Sequence, residues 1–306
     1  MTARRSRLRV SVSGTAAVAA IIVAGALLPS ASAQVTASSA PSAAAAPPVL
    51  RDIVFKTVND TPIELDIHPA EGSGPHPLII WIHGGGWEQG DKGNCLPIRL
   101  GFTDRGYTVA CINYRYSSEA IFPAQIVDVR DAVAFLRRNA GLYDLDPRRF
   151  AAWGSSAGGH LAALVGTTSG QAVFTRAARA SAVQAVVDFY GPTDLVAFVT
   201  TPGYEGHNDD SAESRLLGGP VLENQDRAQQ ANPITYIAGD EPAFLIIHGT
   251  ADPVVPQEQS QLLYDALIDA GVSADEEYLD GAGHGGPAFE APEVVDLVAA
   301  FLDQNL

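Results

Sequence analysis

Ser156 stands at the centre of a Gly-x-Ser-x-Gly pattern, in the run Trp153-Gly154-Ser155-Ser156-Ala157-Gly158-Gly159-His160. A serine on a sharp turn between a strand and a helix holds its hydroxyl above a sheet, where a base can reach it. Glycines on both sides allow such a turn without a Cβ clash. Because Gly and Ala are abundant in this chain, the pattern can also arise by chance, so its meaning depends on the other residues.

A serine hydroxyl is a poor nucleophile at neutral pH and needs a neighbouring base, which an acidic group must orient. In open α/β sheets such groups gather at the carboxyl ends of the strands. His284 lies in a glycine-rich loop after the last predicted strand and is the preferred base. The other six histidines fit less well as the base. His68 and His76 lie in the edge region, His83 is at the glycine loop and His160 is on the helix that follows Ser156. His207 lies in the irregular insertion, and His248 is at a strand end.

Three aspartates are candidates for the acid that orients the base. Asp252 directly follows a buried apolar strand and precedes Pro253, which stiffens the loop. Asp280 is nearer to His284 in sequence and is the second choice, and Asp194, also at a strand end, is the third. Each of them could instead cap a helix or a turn.

A run of three glycines provides the second chemical signal. Residues His83-Gly84-Gly85-Gly86-Trp87 follow the apolar run 77–82. Such a loop can aim backbone N–H groups at an anionic tetrahedral intermediate. A flexible turn is one alternative. A phosphate loop is another, but the Lys-Ser/Thr pair that it requires is missing.

Strand and helix patterns alternate along most of the chain and predict a mostly parallel sheet with helices on both faces. Residues 52–57 and 63–67 alternate apolar and polar residues and predict an antiparallel hairpin at the edge of the sheet. Apolar strands are expected near 77–82, 107–113, 149–153, 185–190, 243–248 and 274–279. The pattern breaks down at about 195–232, which predicts a lid-like or substrate-binding insertion. Residues 49–306 therefore form one predicted catalytic domain.

The chain resembles the α/β-hydrolase superfamily and, within it, bacterial esterases related to hormone-sensitive lipase and the feruloyl-esterase-like group. The matching segments, which span Ile53 to Leu302, are His83–Trp87, Asn113–Arg115, Gly154–His160, His248–Pro256 and Gly283–Gly285. The order Ser156, Asp252, His284 is the order of these residues in α/β-hydrolases.

The resemblance implies a role for each residue of the site. Ser156 would attack the carbonyl carbon, His284 would act as general base and then acid, and Asp252 would orient His284. The backbone N–H groups of Gly85, Gly86 and Ala157 would form the oxyanion hole. Trp87 would wall the acyl or alcohol pocket, and a core position is its alternative.

The N-terminus predicts export. Four arginines among the first nine residues precede an apolar stretch at 16–28, and Ala31-Ser32-Ala33 is typical of a cleavage site before Gln34. Residues 1–33 are therefore predicted to be a signal peptide, and no stable membrane anchor is expected after cleavage. An uncleaved anchor is the alternative. The Ala/Ser/Pro-rich residues 34–48 predict a disordered spacer.

Charge and cysteine content agree with a secreted protein. The net charge of −16 becomes −20 without the four arginines of the signal peptide, so no nucleic-acid partner is expected. In an exported protein the pair Cys95 and Cys111 suggests one disulfide, with two separate buried thiols as the alternative.

These features together predict a secreted serine esterase that acts on small-molecule carboxylic esters, including short-acyl, aryl and carbohydrate-linked ones. A peptidase or amidase of the same fold and a non-catalytic binding protein are the alternatives. The intact set of Ser156, His284 and Asp252 argues against the binding protein. Nothing in the sequence calls for a metal or organic cofactor.

Overall fold

A computed structural model describes residues 47–174 and 177–306 of the chain. The predicted signal peptide and almost all of the predicted spacer lie outside these residues. The described part forms an eight-stranded sheet. Its strands are β1 Leu50–Val58, β2 Thr61–His68, β3 His76–Ile82, β4 Thr108–Ile112, β5 Leu145–Ser155, β6 Ala185–Phe189, β7 Ala243–Gly249 and β8 Ala274–Leu279.

The strand order is β1-β2-β4-β3-β5-β6-β7-β8. Strands β3 to β8 pair in parallel, whereas β2 pairs antiparallel with both β1 and β4. The predicted parallel sheet and its antiparallel edge hairpin are both confirmed. Since the carboxyl ends of parallel strands lie at one edge, loops distant in sequence meet there.

Helices cover both faces of the sheet. Those of the described residues are α1 Leu96–Arg99, α2 Ala124–Arg138, α3 Ala157–Thr167, α4 Leu195–Thr200, α5 Ala212–Leu217, α6 Gln225–Ala231, α7 Glu258–Asp269 and α8 Pro292–Asn305. Alternate residues of the central strands enter two separate hydrophobic clusters, as Ile80 and Trp81 illustrate. The strands are therefore buried on both sides, which explains their continuous apolar sequences.

The insertion at 195–232 is more regular than the sequence predicts. It contains α4, α5 and α6 with short 3₁₀ turns between them. Apolar residues from these helices, such as Phe198, Leu217 and Ala231, are fully buried in one of the two hydrophobic clusters. Three helices of six or seven residues are too short to show clear periodicity, because their stability comes from packing and not from their own sequence. The irregular segment is thus corrected to helices packed in the core, and its role as a lid or substrate-binding segment stays a prediction.

Within residues 47–174 and 177–306, no helix has both the length and the apolar character needed to cross a membrane.

Candidate active site

Ser156 occupies a strained turn between β5 and α3. Its backbone angles are φ 55° and ψ −124°, a region that residues other than glycine seldom adopt. The turn is held by the Ser156 N–H, which donates to Phe189 O at 2.8 Å. Gly158 is required two residues later, because a Cβ there would lie 2.0 Å from Ile82 O. Close packing of α3 on β3 therefore fixes the turn that presents the Ser156 hydroxyl at the carboxyl edge of the sheet.

His284 links Ser156 to Asp252. Its Nε2 lies 2.9 Å from Ser156 Oγ, and its Nδ1 lies 2.7 Å from Asp252 Oδ2. A carboxylate only accepts hydrogen bonds, so Nδ1 carries the proton and donates it. Nε2 is then free to accept the proton of the serine hydroxyl. The structure thus brings together, from the ends of β5, β7 and β8, the three residues that the sequence selects.

Asp252 is held rigidly under His284. Its side chain is fully buried, and its Oδ1 accepts the N–H groups of Val254 and Val255 at 2.8 and 3.0 Å. Burial alone would raise the pKa of this carboxyl, but hydrogen bonds from His248 and His284 outweigh it and hold the pKa well below its usual range. Asp252 therefore stays ionised wherever the protein is folded at moderate pH.

The other two candidate acids have different partners. Asp280 is exposed and accepts a long bond of 3.5 Å from Thr250 Oγ1. Asp194 caps α4 by accepting the N–H groups of Val196 and Ala197. Asp194 thus takes the capping role that was its alternative, and Asp280 makes no contact with His284.

Two other histidines have structural partners. His83 is buried and braces the glycine loop, with its Nδ1 2.8 Å from Gly84 O. His160 is fully buried on α3, and its Nε2 lies 2.7 Å from Ala231 O in the insertion.

The glycine loop lies beside Ser156, since a Cβ placed on Gly84 would be 3.3 Å from Ser156 Cβ. Gly85 has φ +115°, and a Cβ on it would lie 2.2 Å from Gln89 O, so only glycine fits there. The N–H groups of Gly85, Gly86 and Ala157 donate to no acceptor among the residues described. Ala157 also opens α3, where the helix dipole favours negative charge. The oxyanion hole formed by these three N–H groups stays a prediction.

The segment that follows the glycine loop is tied to the sheet at two points. Lys92 Nζ lies 2.6 Å from Asp66 Oδ1, and the Lys92 N–H donates to Asn113 Oδ1 at 2.7 Å. Three residues later, Cys95 and Cys111 form a disulfide bond with a Cα–Cα separation of 5.9 Å. These links fix the far end of the loop against β2 and β4.

Trp87 does not wall an open pocket, so this prediction is wrong. Its side chain is 1% exposed and belongs to the hydrophobic core. The ring packs edge-to-face on His160, with centroids 5.2 Å apart. Since Trp87 has φ 56°, the turn of the glycine loop directs the indole inward, where it supports the loop instead of meeting a ligand.

Two tyrosines at the site were not selected from the sequence. Tyr190 follows β6 with φ 44°, and its ring centroid lies 4.6 Å from that of His284. Tyr204, in the insertion, donates its hydroxyl to Asp252 O at 2.9 Å. The position of Tyr190 directly after a core strand was the available signal, whereas nothing in the sequence around Tyr204 indicates its contact.

Asp188 gives the folded protein a distinctive pH dependence of stability. It is fully buried in β6, and its Oδ2 has no hydrogen-bond partner among the residues described. Burial raises the pKa of this carboxyl to about 7, although the Gly191 N–H and nearby His248 oppose the rise. The folded state binds the proton more tightly than the unfolded chain, where the pKa is about 3.9. The resulting stabilisation is complete below about pH 4 and is lost as the pH rises to about 7.

Asp188→Asn should remove this dependence while keeping an oxygen for the Gly191 N–H. Between about pH 4 and pH 8, the variant should gain up to about 4 kcal/mol in free energy of unfolding relative to wild type. Urea unfolding of both proteins at the two pH values measures the change. The prediction would be contradicted if the free energies of unfolding of the two proteins differed by the same amount at both pH values.

Among residues 47–174 and 177–306, no group of three or more His, Cys, Asp or Glu side chains is arranged to hold a metal ion.

Comparison with known proteins identifies relatives of this chain. Esterase LipQ of Mycobacterium tuberculosis is 32% identical over 200 residues, which cover 64% of this chain and 47% of the relative. Esterase LipC of the same organism is 31% identical over 243 residues, which cover 75% and 59% of the two chains. The chain thus spans about half the length of these curated relatives.

A solved structure and a family model extend the comparison. A truncated form of a carbohydrate esterase from gut microbiota aligns with a TM-score of 0.76 at 29% identity, covering 87% of this chain and 98% of that one. The BD-FAE family model matches residues 65–267, about two thirds of the sequence. With its α/β-hydrolase fold, the chain belongs to the BD-FAE family.

Proposed function

We propose that this protein is a secreted serine carboxylesterase that hydrolyses small carboxylic esters through an acyl-enzyme. The observation that carries the proposal is the continuous hydrogen-bonded chain from Ser156 Oγ to His284 and on to the buried Asp252 carboxylate. The esterase names of the mycobacterial relatives and the carbohydrate esterase from gut microbiota support the same reaction.

Acylation begins when His284 Nε2 takes the proton of the Ser156 hydroxyl and the oxygen attacks the ester carbonyl carbon. The C=O electron pair moves onto the carbonyl oxygen, which the N–H groups of Gly85, Gly86 and Ala157 stabilise. Each such donor typically contributes about 3 kcal/mol to transition-state stabilisation. The tetrahedral intermediate collapses as the C–O bond to the alcohol breaks. His284 gives its proton to the departing alcohol oxygen.

Deacylation repeats these steps with water. His284 Nε2 removes a proton from the water, whose oxygen attacks the acyl-enzyme carbonyl carbon. The second intermediate releases the carboxylic acid, and His284 returns the proton to Ser156 Oγ. Asp252 keeps its negative charge throughout and stabilises the imidazolium form of His284.

Substrate class is tested by turnover of p-nitrophenyl esters from acetyl to palmitoyl, beside methyl ferulate and a peptide anilide. We expect hydrolysis of short-chain or feruloyl esters and none of the anilide. Rapid cleavage of the anilide, or of palmitoyl ester alone, would contradict the proposal.

Secretion follows from the signal-peptide pattern of residues 1–33, and the disulfide between Cys95 and Cys111 is typical of an oxidising compartment. Expression of the full-length chain in a host with a general secretion pathway should place active protein in the culture medium. Peptide mass spectrometry of that protein should place its N-terminus at residue 34, as glutamine or as the pyroglutamate formed by its cyclisation. Retention of Met1 on a cell-associated protein would contradict export with cleavage.

A further inference from the structure

A second histidine contacts the buried carboxylate of Asp252. His248 is the last residue but one of β7, and its side chain is 0% exposed. Its Nε2 lies 3.2 Å from Asp252 Oδ2 and 3.1 Å from Val255 O, while its Nδ1 lies 2.7 Å from Ser260 Oγ on α7. The ring therefore spans the base of the loop that carries Asp252 and joins it to a helix.

The partners of His248 determine which ring nitrogen carries the proton. A carboxylate and a carbonyl oxygen only accept hydrogen bonds, so Nε2 must be the N–H donor toward Asp252 and Val255. Nδ1 is then the acceptor of a neutral imidazole, and the hydroxyl of Ser260 donates to it. Because a hydroxyl can either donate or accept, the two acceptors at Nε2, and not Ser260, select this tautomer.

His248 completes the set of donors around Asp252. Backbone N–H groups hold Oδ1, whereas Oδ2 accepts from His284 Nδ1 and lies 3.2 Å from His248 Nε2, whose N–H is shared with Val255 O. With donors on both oxygens, the carboxylate cannot rotate about its last bond without losing several bonds. Without His248, Oδ2 would be held by His284 alone, the residue that Asp252 has to orient.

Other titratable groups near His248 do not replace this contact. Asp188 of β6 uses Oδ1 to accept the Gly191 N–H. The ring of Tyr190 lies 6.4 Å from that of His248, edge-to-face. Asp252 is therefore the only carboxylate among the described residues that hydrogen-bonds the His248 ring.

We infer that His248 is a positioning residue for ester hydrolysis, which holds the Asp252 carboxylate in the orientation that His284 requires. This inference rests on the proposed function. It predicts that catalysis depends on the Nε2 donor of His248 and not merely on a ring that fills the space.

Two matched variants separate these roles. His248→Gln places an amide nitrogen near the position of Nε2 and keeps a donor toward Asp252. His248→Asn reaches only the position of Nδ1, so it keeps a partner for Ser260 and loses the donor toward Asp252. Loss of a hydrogen bond to a charged group changes a rate or equilibrium constant by about tenfold to a hundredfold. We expect His248→Asn to lower kcat by that factor with KM little changed, and His248→Gln to recover most of the loss.

The concentration of active sites should be measured by titration with a phosphonate ester, and kcat should be calculated from that concentration. The melting temperature of each variant should be measured alongside. If wild type hydrolyses esters but both variants lose kcat equally, in proportion to their melting temperatures, the role is structural and the inference is overturned. Unchanged kcat in His248→Asn overturns it as well. If wild type hydrolyses no ester, the proposed function fails first and the inference fails with it.

A spectroscopic measurement provides a second readout, which also serves if His248→Asn does not fold. In protein labelled with ¹⁵N-histidine, the chemical shifts of the His248 ring nitrogens should identify the neutral Nε2–H tautomer. Ser260→Ala should leave the proton on Nε2, because Asp252 and Val255 still accept from that nitrogen. A His248 ring protonated on Nδ1 in the wild-type protein would overturn the inference.

Discussion

Ser156→Ala is expected to lower kcat for ester hydrolysis by about 10⁶-fold and to leave the fold intact. The variant removes the hydroxyl oxygen that lies 2.9 Å from His284 Nε2 and that would form the acyl-enzyme. Binding and oxyanion stabilisation remain, so some residual hydrolysis over water is expected. The rate of p-nitrophenyl acetate hydrolysis measures the loss of kcat. The mass of protein incubated with a phosphonate ester shows whether the nucleophilic oxygen is present. The wild-type protein should gain the mass of the adduct, and the variant should not.

Ser273→Ala is the matched control for this loss. Ser273 is exposed just before β8, at the end of the strand away from the site. The same change of serine to alanine there should leave kcat and the adduct unchanged. Turnover by Ser156→Ala within about tenfold of wild type, with equal folding by circular dichroism, would refute Ser156 as the nucleophile.

Asp252→Asn is expected to lower kcat by about 10⁴-fold while largely preserving the geometry of the site. The wild-type carboxylate accepts from His284 Nδ1 and His248 Nε2 on one oxygen and from two backbone N–H groups on the other. An asparagine must turn its NH₂ group toward one of these pairs of donors. Facing His284, it would favour the tautomer with the proton on Nε2, which cannot accept the proton of Ser156. Steady-state kinetics and the thermal stability of the variant test this expectation.

Asp280→Asn is the control for this second loss, because Asp280 was the alternative acid and is exposed in the structure. We expect its kcat to equal that of wild type. A large loss in Asp280→Asn together with near-normal activity in Asp252→Asn would reverse the assignment of the acid.

Local patterns in the sequence were sufficient for much of the fold. Continuous apolar runs predicted the central strands, because a parallel sheet covered on both faces needs no polar side. The order of strands and helices then placed Ser156, Asp252 and His284 at the same edge, since successive parallel strands point the same way. The glycines around Ser156 and at 84–86 were also informative, because only glycine permits such close backbone contacts.

Tertiary packing decided what local patterns do not record. The insertion at 195–232 is helical because its apolar residues are buried against the rest of the molecule, and short helices depend on such burial. Trp87 is in the core and not in a pocket because the backbone angle of one residue sets its direction. The contact of Tyr204 with Asp252 joins residues 48 positions apart.

The environment of Asp252 shows most clearly which features the sequence predicted and which ones only the tertiary structure decided. The sequence selected the aspartate from its place after a core strand, and it noted His248 only as the end of that strand. The structure decided that His248 and Ser260 lie beneath the carboxylate, because this depends on how α7 packs against β7. Residue types and spacing thus determined which chemistry the chain can perform. Packing across distant elements determined which side chains support that chemistry, because the energies of such contacts depend on positions in space and not in sequence.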